Sequence, residues 1–281
     1  LSIEIVNLTS DQIVPCGEML NVAFKGTDMV ERLGKMFPLQ PENFLIARDG
    51  EQIVGSAAAF NYGPFAAIGL VGVHPQHQRR GIGYAIMAHL VAALEQQGCP
   101  IMYLDATEMG APVYAKLGFV EDGRTYRFSR PAHQPTDEPL PEGITVASAD
   151  MLEMLAAWDA RYFGTSRLPL LEDQERNQPG RILIAHDPAG NLAGLLCAQE
   201  AILGPWVATS PAIAEKLLRA ALRLEYKEEV RVIFPAANPH TAPLLARYGF
   251  VPARNIAHMQ RGGSDPRDLP NYYGQTSFML G

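Results

Sequence analysis

Two arginines run straight into two closely spaced glycines in HPQHQRRGIGYA, His74 to Ala85 of this 281-residue chain. These residue types at this spacing point to anion binding. A strand-like run ends just before them and a long helical pattern starts just after. At such a junction the first N–H groups of the helix lack partners, and the helix dipole favours negative charge. Arg79, Arg80 and the successive amides of Gly81, Ile82, Gly83, Tyr84 and Ala85 converge there, and the glycines let a ligand reach the backbone. The arrangement reads as a cradle for a pyrophosphate.

Other readings of the stretch fit less well. A solvated surface loop accounts for the charges but not for their place between strand end and helix start. A dinucleotide turn would use Gly81, Gly83 and an acidic residue such as Asp105. Here, however, the third glycine of G-x-G-x-x-G is replaced by Ile86, and the whole of HPQHQRR separates strand from glycine. A nucleotide P-loop would need Lys-Ser/Thr after its glycines. His74-x-x-His77 lies on a proline-containing loop with no cysteine or carboxylate nearby in sequence, so no metal site is expected.

The elements that must position this turn are legible around it. SIEIVNL alternates as an edge strand, and Ser10 reads as the N-cap of a helix to about Ala23. Strands are expected near Asn43–Arg48, Gln52–Phe60 and Phe65–Val73. Ile82, Ile86, Leu90 and Leu94 then share a helical face, and Gly98 stands where that helix should stop. IMYLDA is a buried strand, Gly110–Lys116 a short helix, and Phe119–Ser129 the last strand or strands. The fold class is α/β (α+β): a mixed, mostly antiparallel twisted sheet flanked by helices.

PAHQPTDEPLPEG, Pro131 to Gly143, breaks the chain with prolines and hydrophilic residues. The segments on either side of it repeat each other. APVYAKLGFV (Ala111–Val120) lines up with APLLARYGFV (Ala242–Val251), and FLIARDGEQIVG (Phe44–Gly55) echoes ILIAHDPAGNLAG (Ile182–Gly194). Matches in the same order indicate a duplicated unit. The expected organisation is a domain over 1–130, a linker over 131–143 and a second domain over 144–281.

Gln78-Arg79-Arg80-Gly81-Ile82-Gly83, with V-G-V-H-P before it and Tyr114-Ala-Lys-Leu-Gly-Phe119 behind, resembles the GCN5-related N-acetyltransferases (GNAT). Their signatures are Q/R-x-x-G-x-G/A and Y-x-x-x-G-F. The resemblance covers residues 1–130 and, more weakly, the second repeat. It implies acetyl-CoA or another acyl-CoA as cosubstrate and a primary amine as acceptor. The pantetheine arm would dock where the strand ending Leu70–Val73 splays from Ile101–Asp105, at Val71 and Val73. Tyr114 stands where the family carries its general acid. The glutamate that many members place on the strand FAAIGLVGV is missing, which leaves Asp105, Glu108 and His74 as candidate bases. The family's frequent asparagine before the tyrosine is replaced by Thr107, whose hydroxyl could still bind the cofactor. The implied function is an N-acetyltransferase; an acetyl-CoA-binding sensor without turnover is the alternative.

In the second repeat PWVATSPAIAEKLLRAAL replaces the arginine-glycine turn, and Leu245 takes the place of Tyr114. A retained fold with a lost cofactor site is expected there. Trp206 and Glu200 read as core and surface residues, and the aromatic tail with Tyr272, Tyr273 and Phe278 as a strand folded back.

Composition sets the remaining expectations. Net charge is −7, without the clustered positive charge that nucleic acid or anionic membrane demands. No apolar run reaches the ~20 residues of a membrane span. Three separated cysteines read as reduced, buried thiols. LSIEIVNLT lacks a signal-peptide pattern and does not begin with Met, so a cytoplasmic chain trimmed at its start is expected. A homodimer is compatible with all of this.

Overall fold

The structure, a computed structural model, describes residues 3–281. Chain contacts group into two compact units. The first runs to Glu121 and takes in Met259–Asp265 and Leu280; the second holds Asp122–His258, Pro266–Met279 and Gly281. The divide falls at the start of a strand, upstream of the proline-rich segment.

In the first unit, β1 (Glu4–Asn7) is the expected edge strand; Ser2 of the expected SIEIVNL strand lies outside the described residues. A helical turn at Ser10–Gln12 leads into α1 (Ile13–Phe24). The cap is Thr9 rather than Ser10: Thr9 is extended, and its N–H donates to Gln12 Oε1 at 3.2 Å. α2 (Met29–Met36), unforeseen in the sequence, buries Met29, Leu33 and Met36 on one face. Next come β2 (Phe44–Asp49), β3 (Gln52–Asn61), β4 (Phe65–Val73), α3 (Ile82–Gln96), β5 (Ile101–Ala106) and α4 (Ala111–Ala115).

The strand order is β1-β2-β3-β4-β5, antiparallel until the parallel β4–β5 pair. β3 is apolar on both faces because helices cover both. A Cβ at Gly55 would meet Ile82 of α3, whereas one at Gly72, on the opposite face, would meet Leu20 of α1. Residues 259–265 complete this unit, with Arg261 Nη1 on Glu95 Oε1 at 2.6 Å.

The second unit repeats the plan. β6 (Val120–Arg130) enters it and pairs antiparallel with β11, which is Val230–Pro235. β7 (Ile144–Val146), α5 (Leu152–Phe163), α6 (Leu168–Asn177), β8 (Ile182–His186), β9 (Leu192–Ala198) and β10 (Leu203–Ala208) lie between. α7 (Pro211–Ala221) begins at the expected Thr-Ser-Pro, with Ser210 Oγ accepting the Ile213 N–H at 3.3 Å. α8 (Thr241–Arg247), β12 (Val251–Arg261) and β13 (Tyr272–Gly274) follow, the last being the expected folded-back strand. The second sheet runs β13-β10-β9-β8-β7. Its core is a single cluster around Leu196, Trp206, Leu217 and Phe234; Trp206 is fully buried, as a core residue. Among the described residues no helix is long and apolar enough to cross a membrane.

Candidate active site

The site is built where β4 and β5 part. They pair from Phe65–Ile101 to Ile68–Leu104 and no further. On the other side β4 stays on β3 to Val73, across a register shift. Leu70 absorbs that shift with φ of 52°, a left-handed conformation costly for a branched residue. His74 donates its N–H to Val54 O at 2.9 Å. Val73, opposite Gly55, is therefore in the neighbouring non-hydrogen-bonded position, and its own N–H and C=O point away from β3 into the split. Val71 and Val73 are both half-buried. The carbonyl of Val73 accepts Gln78 Nε2 at 3.1 Å, so Gln78 ties the end of β4 to the turn.

The turn that follows places the predicted anion cradle at the head of α3. Arg79 (φ 62°) and Gly81 (φ 80°) are left-handed and bracket Arg80, the kind of alternation that gathers N–H groups into an anion-binding concavity. Gly81 is the N-cap of α3. The N–H groups of Ile82, Gly83 and Tyr84 have no partner among the described residues. That of Ala85 donates to Gly81 O at 3.0 Å, so Ala85 adds no free donor. Ile82 buries its side chain and offers only its backbone, while Tyr84 is 45% exposed. The space beside Gly83 is open: a Cβ there would meet only Val73 Cγ2, at 3.7 Å.

Arg79 is exposed and makes no ion pair among the described residues. Arg80 is anchored: Nη1 and Nη2 both lie 3.2 Å from Asp49 Oδ2, and Nη1 lies 2.8 Å from His77 Nδ1. The Asp49 side chain is 9% exposed, and its Oδ1 is buried without a hydrogen-bond partner. Asp49 was not foreseen. It is the last residue of β2, and only the folded sheet brings it to Arg80, so no local sequence signal marks it.

Tyr114 comes from α4, which packs on α3. It is 8% exposed, with its ring edge-on to Phe119 at 6.3 Å. Burial pushes its phenol up to about 12, so it stays protonated at neutral pH. Thr107 has a local use: its Oγ1 accepts the Gly110 N–H at 3.3 Å, tightening the turn into α4. Among the candidate bases, Asp105 is half-buried on β5 just past the split and Glu108 is exposed. His74 is half-buried and accepts the Gln76 N–H on Nδ1 at 3.3 Å.

Chemically, the first unit offers a cradle of free amides and arginines, an open strand edge leading from it, and a buried phenol. These are the features of a protein that holds a CoA thioester and passes its acyl group on. Residues 40–121 match the model of an acetyltransferase (GNAT) domain, and residues 155–274 match another model of the same description. The chain belongs to the GCN5-related N-acetyltransferase superfamily, as a tandem-domain member.

Among curated proteins it is 27% identical over 202 residues to the uncharacterized N-acetyltransferase YitH of Bacillus subtilis (strain 168), covering 70% of each chain. A crystal structure of an acetyltransferase-like protein from Pyrococcus horikoshii is 25% identical. It superposes with a TM-score of 0.86 over 99% of this chain and 96% of that one. A tandem GNAT protein from the clavulanic acid biosynthesis pathway shares the fold, with a TM-score of 0.59, 16% identity, and coverage of 94% of this chain and 99% of that one. Acyl transfer is the chemistry that this membership brings.

Proposed function

We propose that the first unit transfers an acetyl group from acetyl-CoA to a primary amine, with the second domain a degenerate copy. The observation that carries this reading is the β4–β5 split. It opens directly beneath the unpaired amides of Ile82, Gly83 and Tyr84, so an anionic head and an extended arm find adjoining seats. The pyrophosphate lies on those amides with Arg79 and Arg80, and the pantetheine arm runs along Val71 and Val73. Thr107 remains available to it through the second lone pair of its hydroxyl.

The amine nitrogen attacks the thioester carbon, forming C–N while the carbonyl oxygen becomes an oxyanion held by a backbone N–H of the open β4 edge near Val73. Collapse breaks C–S, and the thiolate takes a hydrogen bond and then a proton from Tyr114. A phenol at about 12 lies well above an ordinary thiol, ~8.5, so that proton moves only as another replaces it. The replacement is the surplus proton of the attacking amine, relayed by water or by Asp105, Glu108 or His74. Three buried free thiols, Cys16, Cys99 and Cys197, support a reducing compartment, the cytoplasm.

The deciding experiment is calorimetric titration of acetyl-CoA into wild type and Gly83→Asp. The open space at Gly83 tolerates the side chain, and its carboxylate would occupy the anion's seat. Binding confined to wild type is the expected result, with ~2.7 kcal/mol of stabilisation at 100 times Kd. Equal binding by both proteins overturns the placement. CoA release with a panel of amines, lost in Tyr114→Phe, separates a transferase from a sensor that only binds.

A further inference from the structure

The second unit has a split of its own, and it is filled. β10 and β11 begin side by side, bridged at Ile202 and Arg231, with the Arg231 N–H donating to Ala201 O at 2.8 Å. They then part, and β13 lies in the gap. On one side it pairs antiparallel with β10, Gly274 opposite Trp206 and Tyr272 opposite Val207. On the other, the Gln275 N–H donates to Ile233 O of β11 at 2.6 Å. The fit depends on absent side chains. A Cβ at Gly274 would lie 2.6 Å from Leu203 O, and one at Gly204 would collide with the Gln275 backbone.

Side chains of the cleft grip this strand mainly by its backbone. Asn238 Nδ2 donates to Tyr272 O at 3.3 Å, and Gln199 Nε2 donates to Thr276 O at 3.0 Å. Two further contacts read its sequence. Arg167 Nη1 donates to Tyr272 Oη at 2.6 Å, and Tyr273 packs on Trp206 with ring centroids 5.3 Å apart. In the alignment of the two repeats Asn238 falls on Thr107. A polar side chain therefore stands at the same place in each unit, and in the second it holds the inserted strand.

We infer that the β10–β11 split is a peptide-binding cleft and that Tyr272–Gln275 is its resident ligand, an extended segment of two aromatic residues and a small one. It lies where the first unit's split would take a pantetheine arm. A peptide strand and a pantetheine chain both offer amide groups to the strand edges, which is the recognition an open edge provides. That correspondence rests on the cofactor reading above, whereas the peptide cleft itself does not. The second unit is therefore occupied by its own chain, in addition to lacking the arginine-glycine turn.

The test uses the full chain with a protease site inserted in the loop at Ser264–Asp265, cut after folding. The C-terminal fragment is expected to co-elute with the remainder on gel filtration and to exchange with excess labelled peptide spanning Asp268–Phe278. In Asn238→Ala the fragment should leave about tenfold faster. Loss of the fragment on cutting, or retention without exchange over days, overturns the proposal. Hydrogen exchange on the uncut wild type tests it independently of any variant. The Gln275 amide should exchange as slowly as amides of β9, and exchange at the rate of an exposed loop overturns it. Neither experiment contains acetyl-CoA, so failure of the cofactor reading leaves both outcomes readable.

Discussion

The guanidinium of Arg80 and the carboxylate of Asp49 meet at the head of α3, with Nη1 and Nη2 each 3.2 Å from Oδ2. A negative charge that is 9% exposed beside a proposed pyrophosphate seat is tolerable only while that arginine covers it. Arg80→Ala should weaken acetyl-CoA binding about tenfold, ~1.4 kcal/mol. Arg79→Ala, at an exposed side chain, should cost about threefold. Adding Asp49→Asn to Arg80→Ala should recover part of the loss, because it removes the uncovered charge. Titration calorimetry on the four proteins checks this; no recovery would mean that Asp49 acts only through the fold.

Tyr114 gives a prediction in pH. Its phenol, raised by burial to about 12, stays protonated throughout the working range. A fall in kcat between pH 8 and 10 is therefore not expected from this group. An acidic limb is expected, since the acceptor amine attacks only when neutral. Tyr114→Phe should lower kcat by about a hundredfold or more with little change in the Kd of acetyl-CoA. A matching loss of affinity would reassign the residue to packing.

The fold should weaken as pH rises into the alkaline range. Burial pushes the Cys197 thiol up to about 12 and the Tyr226 phenol up to about 12. The unfolded chain, with ordinary values near 9 and 10, ionises first. Their contribution is whole below about pH 9 and is lost as pH rises toward 12. Thermal melts from pH 8 to 11 should show a falling Tm, with a shallower slope in Cys197→Ala. An unchanged slope in that variant would show that Cys197 does not carry it.

Asp159 and Arg167 form a fully buried bidentate pair, Nε–Oδ2 at 2.6 Å and Nη2–Oδ1 at 2.8 Å. Burial alone would push the guanidinium down, but Asp159 and Tyr272 hold it above its ordinary range. Removing one partner strands a charge, so Asp159→Ala should destabilise the second unit by about 3–5 kcal/mol. The double change Asp159→Leu, Arg167→Met should cost less than the single one. Urea unfolding followed at Trp158 and Trp206 measures both.

Local signals carried much of this structure. Alternation marked the strands around the turn, Gly98 marked the end of α3, and arginines before glycines marked the head of that helix. What escaped depends on distance in the chain. α2 did carry a signal, Met29, Leu33 and Met36 at helical spacing, but it spans barely two turns. Asp49 reaches Arg80 only through the folded sheet, and the left-handed Leu70 answers a register shift that its own neighbours do not announce. Most hidden were the partners of β6 and β13, because a strand's pattern fixes which faces are apolar and not which strand lies beside it.

The grouping of β6 with the second unit, and of Met259–Asp265 with the first, sets a timetable for the ribosome. The first unit has all its N-terminal strands once Glu121 has emerged, yet it waits for roughly 140 further residues before its closing segment exists. At ~5–20 residues per second that is about 7–30 s in which a sheet edge stands open. A gene cut at the proline-rich segment would make that interval permanent. It would yield two half-products, each holding a segment that belongs to the other.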